Sequence, residues 1–119
     1  MRRDWELIRE ILIKLEEIPE QEGKLMPGEI NGYDAEIVSY HFKILYEAGL
    51  IEAEIVKALG IKPFYYAKSL TWLGHELLDS IRKITVWNKI KERIRQRGLD
   101  LTFDVLKETA KLIMMEMIK

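Results

Sequence analysis

The chain has 119 residues and a mass of 14.1 kDa, is 48% apolar and 33% charged, and sets Lys+Arg 19 against Asp+Glu 20. That length suits one globular domain with an appended arm and is enough to build a core without covalent staples. The absence of cysteine excludes disulfides, thiolate chemistry and Cys-based zinc or iron–sulfur sites, and the apolar fraction is too high for a disordered chain.

The first helix is read from Trp5, Ile8, Leu12, Leu15 and Ile18, which recur at three- and four-residue steps behind Asp4, a capping residue; Pro19 ends the run. Residues 20–32 contain Gly23, Pro27, Gly28 and Gly32 and read as loop, with room for a short strand at 24–26 or a single turn at 29–31. A second helix is expected between Asp34 as N-cap and Gly49 as the residue past its end. Its inward stripe reads as Ile37, Val38, His41, Ile44, Leu45 and Ala48, and its outward stripe as Glu36, Ser39, Tyr40, Lys43 and Glu47. Beyond Gly49 the period changes. Residues 50–56 and 64–69 are short and rich in Ile, Val, Phe and Tyr, and 57–63 holds Gly60 and Pro63, which predicts a β-hairpin. Phe64 and Tyr66 fall on one face of that hairpin and Tyr65 on the other. Thr71 is expected to cap a third helix carrying Trp72, Leu73, Leu77, Leu78 and Ile81. Thr85 or a neighbour opens a fourth, stopped by Gly98, and Thr102 caps a fifth with Phe103, Leu106, Ala110, Ile113 and Met117 along one face. Phe42, Leu45, Trp72 and Leu77 are expected in or beside one core, and Met114, Met115 and Met117 read as core packing.

Residues 34–84 resemble a winged-helix DNA-binding domain. A helix with Val38-Ser39-x-His41-x-x-x-Leu45 runs into Glu47-Ala48-Gly49-Leu50-Ile51, then the hairpin, then Leu70-Thr71-x-x-Gly74. Gly49 permits the left-handed residue that turns helix into strand, Thr71 caps, and Gly74 lets a helix approach the hairpin closely. The slot for a full helix just before the recognition helix is instead 20–32, so the helix-turn-helix is expected to be truncated, or replaced by a strand and a tight turn. Nearly end to end, the chain is similar to an uncharacterised family of phage and prophage proteins, domain of unknown function 2513. The similarity runs through Arg3-Asp4-Trp5-x-Leu7-Ile8-Arg9, Glu29-Ile30-x-Gly32-Tyr33, Tyr40-His41, Leu70-Thr71-Trp72-x-Gly74-His75-Glu76, Thr85-Val86-Trp87-Asn88-Lys89 and Leu101-Thr102-Phe103-Asp104-Val105. It implies a prokaryotic or phage cytoplasmic protein and carries over neither an activity nor functional residues. The expected fold is α+β: a mostly helical, winged-helix-like domain with a β-hairpin wing over 1–84. Two additional C-terminal helices over 85–119 pack on it or on a dimer partner.

The near-zero net charge hides an asymmetry. Residues 1–60 carry 7 basic and 13 acidic side chains, and 61–119 carry 12 and 7. Between Arg82 and Arg97 there are seven basic residues and one acid, Glu92. The segment reads equally as a phosphate-contacting helix or as the electrostatic complement of the acidic first helix and loop (Glu6, Glu10, Glu16, Glu17, Glu20, Glu22). The leading functional expectation is a DNA-binding or regulatory protein. It would use Ser39, Tyr40 and Lys43 on the second helix, Lys57 and Lys62 on the wing, and Lys89, Arg93 and Arg97 on the basic helix. The alternative is a protein-interaction module, an accessory factor binding a host or phage protein. No catalytic residue, metal ligand set or cofactor is expected. Glycine-rich phosphate loops, G-x-S-x-G and H-E-x-x-H are absent, and Ser39 and His41 stand two apart on a helix, on different faces. His41 reads as a hydrogen-bonded core residue. The charged start and apolar runs of at most four residues predict a soluble cytoplasmic protein with no membrane segment. The last helix is apolar over a wider face than one neighbour covers, so a homodimer through the C-terminal helices is expected. The alternative is an arm folded back on Trp5, Ile8 and Leu12 in a monomer.

Overall fold

The computed structural model describes residues 1–19 and 23–118. Residues 20–22 of the expected loop, with the acids Glu20 and Glu22, lie outside the described residues, as does Lys119. The fold is α+β and mostly helical, in the order read from the sequence, and its internal contacts gather into two compact units, Met1–His75 and Glu76–Lys119.

In the first unit, α1 (Trp5–Glu17) starts where Asp4 accepts hydrogen bonds from the Glu6 and Leu7 amides at 3.0 and 3.2 Å. Its buried face is wider than the five-residue stripe, because Leu7 and Ile11 join Trp5, Ile8, Leu12 and Leu15. In the following segment the strand contact falls within the expected 24–26, and the turn falls at Pro27–Glu29, two residues before the expected 29–31. Leu25 exchanges two backbone hydrogen bonds with Ala67, at 2.8 and 3.0 Å, and Pro27–Glu29 forms one 3-10 turn. The Glu29 carboxylate reaches back to the Met26 amide at 2.6 Å and closes that turn. Helix α2 (Ala35–Glu47) is capped by Asp34, whose side chain accepts from the Glu36 amide. It ends at Gly49, φ +77°, where the Leu50 amide donates to Leu45 and the Gly49 amide to Tyr46. Those two bonds satisfy carbonyls that a helix end otherwise leaves open.

Strands β1 (Ile51–Val56) and β2 (Phe64–Leu70) form the antiparallel hairpin, and Leu25 extends β2 on its other edge. The register slips between Glu52 and Ala53, leaving Lys68 as the extra residue of β2. Helix α2 packs on both strands and on the 3-10 turn, and α1 packs on β2 and α2. Val38, His41, Phe42 and Leu45 form the buried stripe of α2. Ile37 and Ala48, expected inward, are exposed, and Ile44 is half-buried. A stripe of four at i, i+3, i+4 and i+7 already spans the width that one layer of strands covers.

Helix α3 (Trp72–Ile81) begins at Thr71, and the hydroxyl does two jobs there. It donates to the Gly49 carbonyl at 2.6 Å and accepts from the Gly74 amide at 3.1 Å. Gly74 lies so near the end of α2 that a Cβ there would sit 2.0 Å from the Leu50 carbonyl oxygen. The same contact corrects the expectation for Trp72, which is 80% exposed while Phe42, Leu45 and Leu77 are buried. With Gly74 facing inward, a residue two positions earlier is turned about 200° around the helix.

The division between the units falls inside α3. In the second unit, α4 (Ile84–Gln96) buries Val86, Trp87, Ile90 and Ile94 and packs along α5 (Phe103–Ile118). Lys83 is the N-cap of α4, without a side-chain cap bond. Gly98, φ +67°, ends α4 with the same bond pattern as Gly49, the Leu99 amide donating to Ile94 and the Gly98 amide to Arg95. Thr102 Oγ1 accepts from the Val105 amide at the start of α5. The buried face of α5 is Leu106, Thr109, Ala110 and Ile113. Met114, Met115 and Met117, expected as core, are exposed, and Phe103 is half-buried.

Candidate nucleic-acid interface

Helix α2 and the hairpin are tied together by the side chains expected to face solvent. Ser39 is half-buried, and its hydroxyl accepts a 2.8 Å hydrogen bond from the Tyr65 amide, so it anchors β2 on α2. Lys62, in the hairpin connection, forms a 2.5 Å ion pair with Glu36 in the first turn of α2. Tyr40 is half-buried with its ring edge-on to His41, at 5.9 Å between centroids. Lys43 and Lys57 are exposed and have no ion-pair partner among the described residues. The hairpin tip ends in apolar side chains: Leu59 is fully exposed and Ile61 half so.

Beneath that surface His41 is completely buried and joins the two helices. Nδ1 lies 2.8 Å from the Ile37 carbonyl, which can only accept, so Nδ1 carries the proton. Nε2 is thereby left as an acceptor and takes the Asp4 amide at 2.9 Å. Both ring nitrogens are therefore taken by backbone groups, one from the start of each helix they join. Among the described residues no group of three His, Asp or Glu could hold a metal ion.

On the other face of the hairpin, the Glu54 carboxylate accepts from the Tyr66 hydroxyl at 2.6 Å and from Lys68 at 3.0 Å. Lys24 lies 5.2 Å from the centre of the Tyr66 ring. The Tyr66 hydrogen bond, and then Lys68, hold the Glu54 carboxyl below its ordinary value. The same contact with Glu54 raises both Tyr66 and Lys68. The hairpin cation Lys68 is thus already neutralised within the chain.

In the second unit the basic helix is partly spoken for. Arg93 makes two 2.9 Å hydrogen bonds to the Glu116 carboxylate of α5, which pushes the guanidinium still further above its ordinary value. Arg95 pairs with Glu92, Arg82 with Asp79, and Lys91 lies over the Trp87 ring. A groove of about 700 Å³ between α4 and α5 has Lys89 and Arg93 balanced by Glu92 and Glu116, so its walls carry no net charge. Lys89 and Arg97 are exposed and have no ion-pair partner among the described residues. Of the eight candidate contacts, Ser39, Lys62 and Arg93 are therefore engaged inside the chain; Tyr40, Lys43, Lys57, Lys89 and Arg97 are presented to solvent, Tyr40 in part. The engaged pairs span 26, 26 and 23 positions, which no local spacing rule reveals. The apolar hairpin tip, by contrast, was open to view in Leu59-Gly60-Ile61, since a loop of that length cannot bury its own apex.

Comparison with known proteins gives the family. The chain belongs to the family described as "Hypothetical protein (DUF2513)", which matches residues 2–100. An uncharacterized protein of Haemophilus influenzae is 49% identical over 118 residues, covering 99% of each chain. No solved structure matches the chain.

Proposed function

We propose that this protein is a non-catalytic, winged-helix DNA-binding regulator of the phage or prophage kind, acting in the cytoplasm. The observation that carries the reading is the arrangement of the first unit. A one-residue strand at Leu25, a 3-10 turn, α2 and a hairpin follow one another, with Lys43 and Lys57 exposed and Tyr40 partly so. Ser39 and Lys62 tie the hairpin to α2, and Arg93 ties α5 to α4. Phosphate contacts of the first unit then fall to Lys43 and Lys57. Two phosphates neutralised per chain correspond to a slope of about −2 in log K against log salt. Fluorescence anisotropy with duplex DNA across a salt series measures that slope. Lys43→Ala and Lys57→Ala each lower it by about 1, and absence of binding at about 50 mM salt overturns the proposal.

A protein-interaction module is the second reading, favoured by the exposed Leu59, Ile61 and Trp72 of the same unit. Absence of DNA binding, with loss of partner binding in Leu59→Ser, would establish it in place of the first. Either way, the protein is proposed to act as a homodimer through its C-terminal helices, because α5 leaves Leu112, Met114, Met115, Met117 and Ile118 exposed.

A further inference from the structure

The solvent-facing stripe of α5, opposite Leu106, Ala110 and Ile113, reads Asp104, Lys107, Glu108, Lys111, Met114, Met115 and Ile118. With Ser80 of α3 these residues line one groove of about 570 Å³. The first four alternate in sign, and none has an ion-pair partner among the described residues.

From that stripe we infer that α5 pairs antiparallel with α5 of a second copy, in a register that sets Asp104 against the partner's Lys111 and Lys107 against the partner's Glu108. This rests on the homodimer proposed above and names its interface. The register follows from the charges. A twofold axis between positions 107 and 108 pairs every charge of the stripe with its opposite, four pairs in all because each occurs twice. A parallel arrangement sets each charge on its own copy. Sliding the antiparallel pair by seven residues sets Asp104 on the partner's Asp104, or Lys111 on the partner's Lys111. Like charges in contact reject both alternatives.

The apolar end of the stripe agrees with the same register. Residues 103–112 of the two helices overlap, and 113–118 run on past the partner's α5 by about 9 Å. That overhang carries Met114, Met115 and Ile118 toward the connection that precedes the partner's α5, where the partner's Leu99 is also exposed. Opposed charges therefore set the register, and the four exposed apolar side chains on each copy supply burial. The overlap is short, so the dimer is expected to be weak, with a micromolar Kd.

Sedimentation equilibrium of the full chain at micromolar to submillimolar concentration tests this. Glu108→Lys or Lys107→Glu alone creates two repulsive contacts across the axis and weakens association about tenfold or more. The combined swap, Lys107→Glu with Glu108→Lys, restores it to within about twofold. The chain has no cysteine of its own, so engineered thiols report the register directly. An oxidised mixture of Asp104→Cys and Lys111→Cys chains forms a covalent dimer, and Asp104→Cys alone does not. A monomeric mass at every concentration overturns both the homodimer and this register. A dimer that ignores the single reversals and fails to cross-link 104 with 111 overturns the register while leaving a homodimer on another surface. Circular dichroism of each variant confirms that the exposed substitutions leave the helices intact.

Discussion

Gly74→Ala isolates the close approach of α3 to the Leu50 carbonyl. The new methyl would lie 2.0 Å from the Leu50 carbonyl oxygen and 3.1 Å from its carbon, whereas real Cβ contacts essentially never fall below 3.0 Å. The start of α3 must therefore retreat by at least 1.0 Å. A retreat of that size carries the Thr71 amide, now 3.1 Å from the Leu50 oxygen, out of hydrogen-bonding range. It likewise strains the 2.6 Å bond from the Thr71 hydroxyl to the Gly49 carbonyl. Overpacking costs about 1–3 kcal/mol and each lost hydrogen bond about 1 kcal/mol. Replacing a helical glycine by alanine returns about 1 kcal/mol. The expected net loss is about 2–4 kcal/mol, read as a drop of roughly 1–2 M in the urea midpoint. Gly28→Ala is the control, because nothing lies within 4 Å of the Cβ it would add and its φ is not in the left-handed region. It is expected to stay within about 0.5 kcal/mol of the parent. A Gly74→Ala midpoint equal to or above the parent's would refute the close-approach argument.

Ser39→Ala removes the acceptor of the Tyr65 amide and is expected to destabilise by about 1 kcal/mol, with faster hydrogen exchange at Tyr65; unchanged stability and exchange would refute the anchoring role of Ser39. His41→Phe keeps the bulk but leaves the Asp4 amide without its acceptor, so a loss of about 1–3 kcal/mol is expected in urea titration. Its absence would mean that the ring's hydrogen bonds carry no weight. Glu54 is held below its ordinary 4.5, first by the Tyr66 hydroxyl and then by Lys68. The stability it adds is complete above about pH 4.5 and is lost as the pH falls through the lowered value. Glu54→Gln should therefore flatten the acid limb of the thermal midpoint against pH, and an unchanged limb would remove Glu54 from acid unfolding.

The elements and their ends were legible in the sequence because local chemistry specifies them. Asp4, Asp34, Thr71 and Thr102 satisfy open amides at helix starts, and Gly49 and Gly98 adopt the positive φ that a helix end requires. The hairpin is legible in two short runs rich in Ile, Val, Phe and Tyr on either side of Gly60 and Pro63, and Gly74 marks a close approach of helix and hairpin. What each face of an element meets was decided only by tertiary structure. Trp72 reads as core by hydropathy and stands in solvent, because the approach of Gly74 to Leu50 fixes the rotation of α3. Ser39 reads as a surface hydroxyl and is consumed by a hairpin amide 26 positions away. Lys62 and Arg93 read as phosphate contacts and each pairs with an acid, Glu36 and Glu116, which no spacing rule connects to them. Caps and turns are settled within a few residues of chain, so the sequence contains their whole cause. A charge's availability, or an apolar side chain's burial, depends on which distant surface arrives beside it, and only the packed chain determines that.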